Sequence, residues 1–193
     1  GIDALAHCVE CFTSNKATAL SDAYAGEGAK KIFHNIRKAW ADAGDLEAKM
    51  SMMLGAFYGG VAITGSGTTA VHALSYPLGG KYHIAHGVSN AILFAHVMAF
   101  NEDACTDRLA MLSDIVYPEL AERAQGEKAD HMIEEIASIV RDTKIPTSLK
   151  EFGVAAGDID FLVDAGSQQQ RLLVNNCKKL SLDDIRSIYA KVM

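Results

Sequence analysis

No apolar run in this sequence approaches the roughly 18 residues that a membrane span requires, and no signal-peptide pattern or long basic tract occurs. Its 18 Lys and Arg residues are outnumbered by 24 Asp and Glu, for a net charge of −6. These absences argue against a membrane-embedded chain and against nucleic acid as a partner, and leave a small neutral or polar molecule as the expected one. Cysteine is also sparse: Cys8, Cys11, Cys105 and Cys177 in 193 residues suit reduced thiols in a cytoplasmic protein rather than a disulfide framework. Strand-like alternation, internal repeats and low-complexity linkers are missing. So are GxGxxG and any glycine run followed by Lys and Ser or Thr that would cradle a phosphate.

What is present is a chain with 49% hydrophobic and 22% charged residues, long enough to bury about 70% of the surface its unfolded form exposes. The patterning predicts a single all-α domain over residues 1–193, built as a helical bundle. A first helix spans 2–13, apolar at Ile2, Leu5, Ala6, Val9 and Phe12. Ser21 or Asp22 is expected to cap a long amphipathic helix through about Ala43 that buries Ala25, Ala29, Ile32, Phe33, Ile36 and Trp40. From Asp45 a third helix, rich in Ala, Gly and Met, is expected to be the central packed one, closed by Gly65-Ser66-Gly67. Further helices are expected at 88–100, 102–116, 118–124 with Pro118 first, 128–143, 148–152 and 158–165. Ser181 is expected to cap the last helix, whose first turn holds Asp183 and Asp184.

The richest stretch runs from Gly67 to Asn90, GTTAVHALSYPLGGKYHIAHGVSN. Proline cannot continue a helix interior and paired glycines favour reversal, so Pro77-Leu78-Gly79-Gly80 should end a helix carrying His72 before another starts near His86. The two imidazoles can then face each other. Near the start, GIDALAH puts Asp3 and His7 at i and i+4, about 40° apart around a helix axis and roughly 6 Å along it, on one face. One carboxylate and three imidazoles make a four-ligand set for a borderline divalent cation such as Fe(II) or Zn(II).

GIDALAH, followed by AVHALSYPLGGKYHIAHGVSNAILFAHVMAFN and the closing LSLDDIRSIY, resembles the iron-containing (group III) alcohol dehydrogenases, specifically their all-helical, dehydroquinate synthase-like C-terminal domain. The resemblance places the family's metal ligands at Asp3, His7, His72 and His86. It implies a metal-dependent alcohol dehydrogenase that interconverts an alcohol and an aldehyde or ketone by hydride transfer with NAD or NADP, the metal polarising the substrate oxygen. It implies Fe(II), with Zn(II) or Ni(II) as alternatives. It also implies an α/β nucleotide-binding domain before residue 1 that holds most of the cofactor; this chain alone, as the C-terminal half, is then expected to be inactive. Relatives associate through their helical domains, so a homodimer or higher homo-oligomer is expected. Alternatives are a zinc-dependent, glycerol dehydrogenase-like enzyme, or a helical metal-binding or interaction module without catalysis.

Tyr76 departs from the resemblance, because many relatives carry His at that place. At i+4 from His72 its ring should face the same cleft, where a phenol that stays protonated near neutral pH shapes the substrate pocket or relays a proton. His83 reads either as a group near the substrate or as a loop histidine, and His96 as a packing histidine with its hydrogen bond satisfied. His34 and His131 have no chemical context. Cys8-Val9-Glu10-Cys11 lacks the surroundings of a redox or zinc motif and reads as core thiols; Met50, Met52 and Met53 also read as core. Gln168-Gln169-Gln170 reads as a polar helix end.

Overall fold

The computed structural model describes residues 1–193, and every regular element in it is helical. Helices α1 (Ile2–Thr13), α2 (Ala19–Ala41), α3 (Leu46–Ser66), α4 (Ala70–Tyr82) and α5 (His86–Val116) are followed by α6 (Gln125–Asp142), α7 (Ile159–Ser167), α8 (Gln170–Leu173) and α9 (Leu182–Ala190). No helix is long and apolar enough to cross a membrane.

The bundle is organised around α1, whose Leu5, Ala6, Cys8, Val9, Cys11 and Phe12 are all buried because α2, α3 and α5 pack on different sides of it. α4 lies along α5, and α7 and α9 close over α4. There the buried Tyr189 donates its hydroxyl hydrogen to the Leu74 carbonyl at 2.7 Å. The cysteines are all free, three of them buried. A loop at 175–177 ties the far end together: the Asn175 carbonyl accepts from the Asn15 N–H and its side chain donates to the Thr68 carbonyl.

Several boundaries differ from expectation for identifiable reasons. Thr18, not Ser21 or Asp22, is the N-cap of α2, and Ser21 returns the second bond of the capping box. Trp40 near its end is exposed. α3 is not central. Small residues do let it approach α2 closely, since a Cβ on Gly55 would stand 3.0 Å from the Gly28 carbonyl oxygen. The opposite face, however, leaves Met50, Met53 and Phe57 58%, 69% and 64% exposed, so Ala/Gly content predicted contact on one side only.

α4 runs through Pro77 and both glycines to Tyr82. The buried Leu74, Pro77 and Leu78 hold it against the core, offsetting the hydrogen bond that proline removes. The reversal comes three residues later, at His83 in the left-handed region (φ 55°), whose N–H bonds the Gly79 carbonyl. The two helices expected between 88 and 116 are one helix kinked at Cys105, where φ is −139°, and 118–124 is reduced to a single 3₁₀ turn at Pro118–Leu120. Ser181 does cap α9, in a capping box with Asp184.

Candidate metal centre

Three helices bring their polar groups to one point near the start of α1. Asp3 and His7 project from the first two turns of α1, His72 from the first turn of α4, and His86 is the first residue of α5. Asp3 Oδ1 lies 3.5 Å from His72 Nε2 and 3.4 Å from His86 Nε2, and one donor atom from each of these three residues falls within 4.8 Å of the others. His7 lies against this group. Its Nε2 is 3.9 Å from Asp3 Oδ2, and its ring stacks on His72 at 4.7 Å between centroids and 19° between planes. The cluster grades from a buried floor at His72 to a solvent-facing side at His86.

The floor is set by Glu10, which the metal-ligand pattern alone does not single out. It is fully buried. Oε1 accepts hydrogen bonds from the Thr69 hydroxyl at 2.6 Å, the Val71 N–H at 2.8 Å and the Thr69 N–H at 3.1 Å. Thr69, the N-cap residue of α4, makes no side-chain cap of its own, so a carboxylate from α1 satisfies the orphan donors and sits at the positive end of the helix dipole. Oε2 meets His72 Nδ1. A proton held between these two atoms leaves Nε2 as the nitrogen that faces Asp3 and His86. Once Nε2 gives up its own proton its lone pair points into the cluster, the arrangement in which a carboxylate fixes the tautomer of a metal-binding histidine. The sequence did carry a signal for this: Asp3, His7 and Glu10 follow i, i+4, i+7 on one face, and Glu10 is a charge set among buried apolar residues.

Electrostatics follow the same geometry. Burial by itself would raise the Asp3 carboxyl, but the bonds from His72 and Asn90 and the charges of His7 and His86 outweigh it and hold it well below the usual carboxylate range. Burial would likewise raise Glu10, and the His72 charge and hydrogen bonds reverse that. Burial would lower His72, but Glu10 and Asp3 push it up to about 9. His7 is lowered, first by burial and then by its neighbour His72. Two carboxylates around one imidazole attract positive charge: a proton in the free site, a cation in a loaded one. Borderline nitrogen and carboxylate donors with a hydrogen-bonded second layer fit a divalent transition-metal ion.

The other sequence candidates sort themselves by distance. Tyr76 stands at the open side, 38% exposed, with its ring 5.9 Å from that of His86. His83 is exposed at the turn and is not one of the three residues whose donor atoms converge. Half-buried His96 lines a shallow cavity with Ala137, Val140 and Thr147 instead of bonding a protein partner. His34 Nε2 bonds the Val116 carbonyl at 2.8 Å, and His131 packs edge-on against Tyr117. Asn90, which the sequence did not single out, is buried beside the cluster one turn after His86.

Residues 1–193 match the family model described as Fe-containing alcohol dehydrogenase family, C-terminal. Long-chain-alcohol dehydrogenase 1 of Geobacillus thermodenitrificans is 38% identical over 189 residues, covering 98% of this chain and 48% of that protein. The NAD-dependent methanol dehydrogenase of Bacillus methanolicus is 32% identical over 162 residues, 84% of this chain and 42% of that protein. Among solved structures, a 1,3-propanediol oxidoreductase superposes with a TM-score of 0.94 at 28% identity, over 100% of this chain and 50% of that one. The chain thus spans about half the length of the relatives it matches, the C-terminal half. With its helical fold and whole-length match, the chain belongs to the Fe-containing alcohol dehydrogenase family.

Proposed function

We propose that this chain is the metal- and substrate-binding half of an alcohol dehydrogenase that interconverts an alcohol and an aldehyde or ketone with NAD or NADP. The observation that carries the reading is the convergence of Asp3, His72 and His86 donor atoms within 4.8 Å on a buried, Glu10-backed floor. Family membership and the alcohol dehydrogenases among the relatives support the reaction class.

In this proposal Asp3, His72 and His86 hold Fe(II), with Zn(II) or Ni(II) as alternatives, and His7 completes the set from its place beside Asp3. When bound, the ion supplies Lewis acidity at the substrate oxygen and the nicotinamide supplies or accepts the hydride. The chain's own residues do the rest. Glu10 keeps the His72 proton on Nδ1, so that Nε2 stays available. Buried His72 and the floor beneath it exclude water from one side, and substrate enters from the exposed His86 side. Tyr76 borders that entrance, where it shapes the pocket and can hydrogen-bond an alcohol. No phosphate-cradling glycine loop occurs among these residues, so the nucleotide is held chiefly outside them. Association of like chains through their helical faces is part of the same reading.

Elemental analysis of the purified chain tests the proposal. About one divalent ion per chain is expected in wild type and loss of most of it in His72→Ala. Equal metal content in the two, or no alcohol-dependent reduction of NAD or NADP by the protein that carries this chain, would refute it.

A further inference from the structure

Asn90 stands one turn beyond His86 on α5 and is fully buried. Its Nδ2 lies 2.6 Å from Asp3 Oδ1 and 3.2 Å from the Nε2 of both His72 and His86, while its Oδ1 has no hydrogen-bond partner. An ionised carboxylate can only accept, so the amide has to turn its NH2 group toward Asp3. The orphaned oxygen is the consequence. A buried acceptor without a partner is a net cost to the fold, which a leucine of nearly the same shape would avoid. Packing therefore does not account for an asparagine here, and the three donor atoms its N–H groups approach do.

We propose that Asn90 is a positioning residue of the Asp3, His72 and His86 cluster, its amide fixing the Asp3 carboxylate so that Oδ1 offers a lone pair to the cation held beside the imidazoles. This rests on the metal-centre reading above. Asp3 lies in the first turn of α1 with its side chain 31% exposed, so an untethered carboxylate would turn toward water. Its shortest contact is the bond from Asn90. His72 is held by Glu10 on its far nitrogen, and Asn90 does for the carboxylate what Glu10 does for the imidazole. A carboxylate oxygen has two lone-pair directions, so the N–H and an ion can share Oδ1. In the free protein the second amide hydrogen faces the two imidazole nitrogens; in the loaded one the amide keeps Asp3 and yields that space.

The test is Zn(II) affinity of the purified chain, by competition with a chromophoric chelator, for wild type, Asn90→Leu and Asn90→Asp, alongside the melting temperature without metal. Asn90→Leu is expected to bind Zn(II) about 10- to 100-fold more weakly, the effect of removing a group that orients a ligand. Its metal-free melting temperature is expected within about 3 °C of wild type, or higher. Asn90→Asp is expected to bind more weakly too, because it sets an acceptor against Asp3. Wild-type affinity in Asn90→Leu overturns the proposal, and so does an Asn90→Asp that binds as tightly as wild type, since that assigns the role to the side-chain oxygen. A fall of more than about 10 °C in metal-free Asn90→Leu also overturns it, because the residue is then structural. Failure of wild type itself to bind Zn(II) overturns the metal centre as a whole, which the other outcomes leave standing.

Discussion

Replacing Glu10 with glutamine tests whether one buried carboxylate both caps α4 and sets the His72 tautomer. The substitution keeps size and shape. The glutamine carbonyl can accept from the Thr69 hydroxyl and the Thr69 and Val71 N–H groups as Oε1 does now. The amide NH2 is then left facing His72 Nδ1, where a carboxylate oxygen stands at present. Two donors cannot face each other, so Nδ1 must become the acceptor and the proton must move to Nε2. That removes the lone pair from the cluster. Loss of such a partner costs about 10- to 100-fold in metal affinity, or roughly 1.4–2.7 kcal/mol. Stability should change less than affinity suggests. The charge-assisted bonds weaken by about 1–3 kcal/mol, partly offset by no longer burying an ion, so the melting temperature should fall by about 2–8 °C. Glu10→Ala should behave differently, because it leaves two backbone N–H groups and the Thr69 hydroxyl unpaired beside a cavity; a loss of about 4 kcal/mol or more is expected. Zn(II) competition, thermal melts by circular dichroism and nitrogen NMR of the histidine rings separate these effects. Glu10→Gln with wild-type affinity, or with the His72 proton still on Nδ1, would refute the reasoning.

Two further outcomes follow from the packing and the surface charge. A methyl group at Gly28 would meet Cys8 Sγ at 2.7 Å and the Gly55 carbonyl oxygen at 3.1 Å; since the backbone cannot yield as a side chain can, Gly28→Ala should destabilise by about 1–3 kcal/mol, read from denaturant midpoints, and an unchanged midpoint would show that α2 and α3 part easily. Asp142, held low chiefly by its bond from Arg37, and Asp184, held low chiefly by Ser181, are depressed carboxyls, so their contribution is complete above the unfolded value of about 4 and is lost as pH falls through their lower folded values. The melting temperature should therefore decline below about pH 4, and Arg37→Met should flatten part of that decline; an identical acid limb in the variant would argue against the Asp142 pairing.

Helix content was legible in the sequence because it is a local property. The 3.6-residue period across 2–13 and 128–143 marks faces that must be buried whatever they pack on, and Ser181 with Asp184 is a cap written in four consecutive residues. Asp3 and His7 share a face for the same reason, one turn apart. What lies between helices was not legible locally. Pro77 and the following glycines read as a break, yet α4 continues because Leu74, Pro77 and Leu78 are buried against neighbours that only the fold supplies. The methionines of α3 read as core, but which side of that helix has a partner depends on where α2 and α1 lie.

The same division holds at the site. Sequence alone named Asp3, His7, His72 and His86 through helical spacing and family likeness, since residue type and spacing along a helix travel with the chain. Only tertiary structure decided that Glu10 lies beneath His72 and caps α4 from another helix, that His7 stacks on His72, and that Asn90 bonds Asp3 across 87 residues of sequence. Those relations are set by how three helices cross, and a crossing is fixed by the summed packing of the whole bundle, which no short stretch of sequence contains.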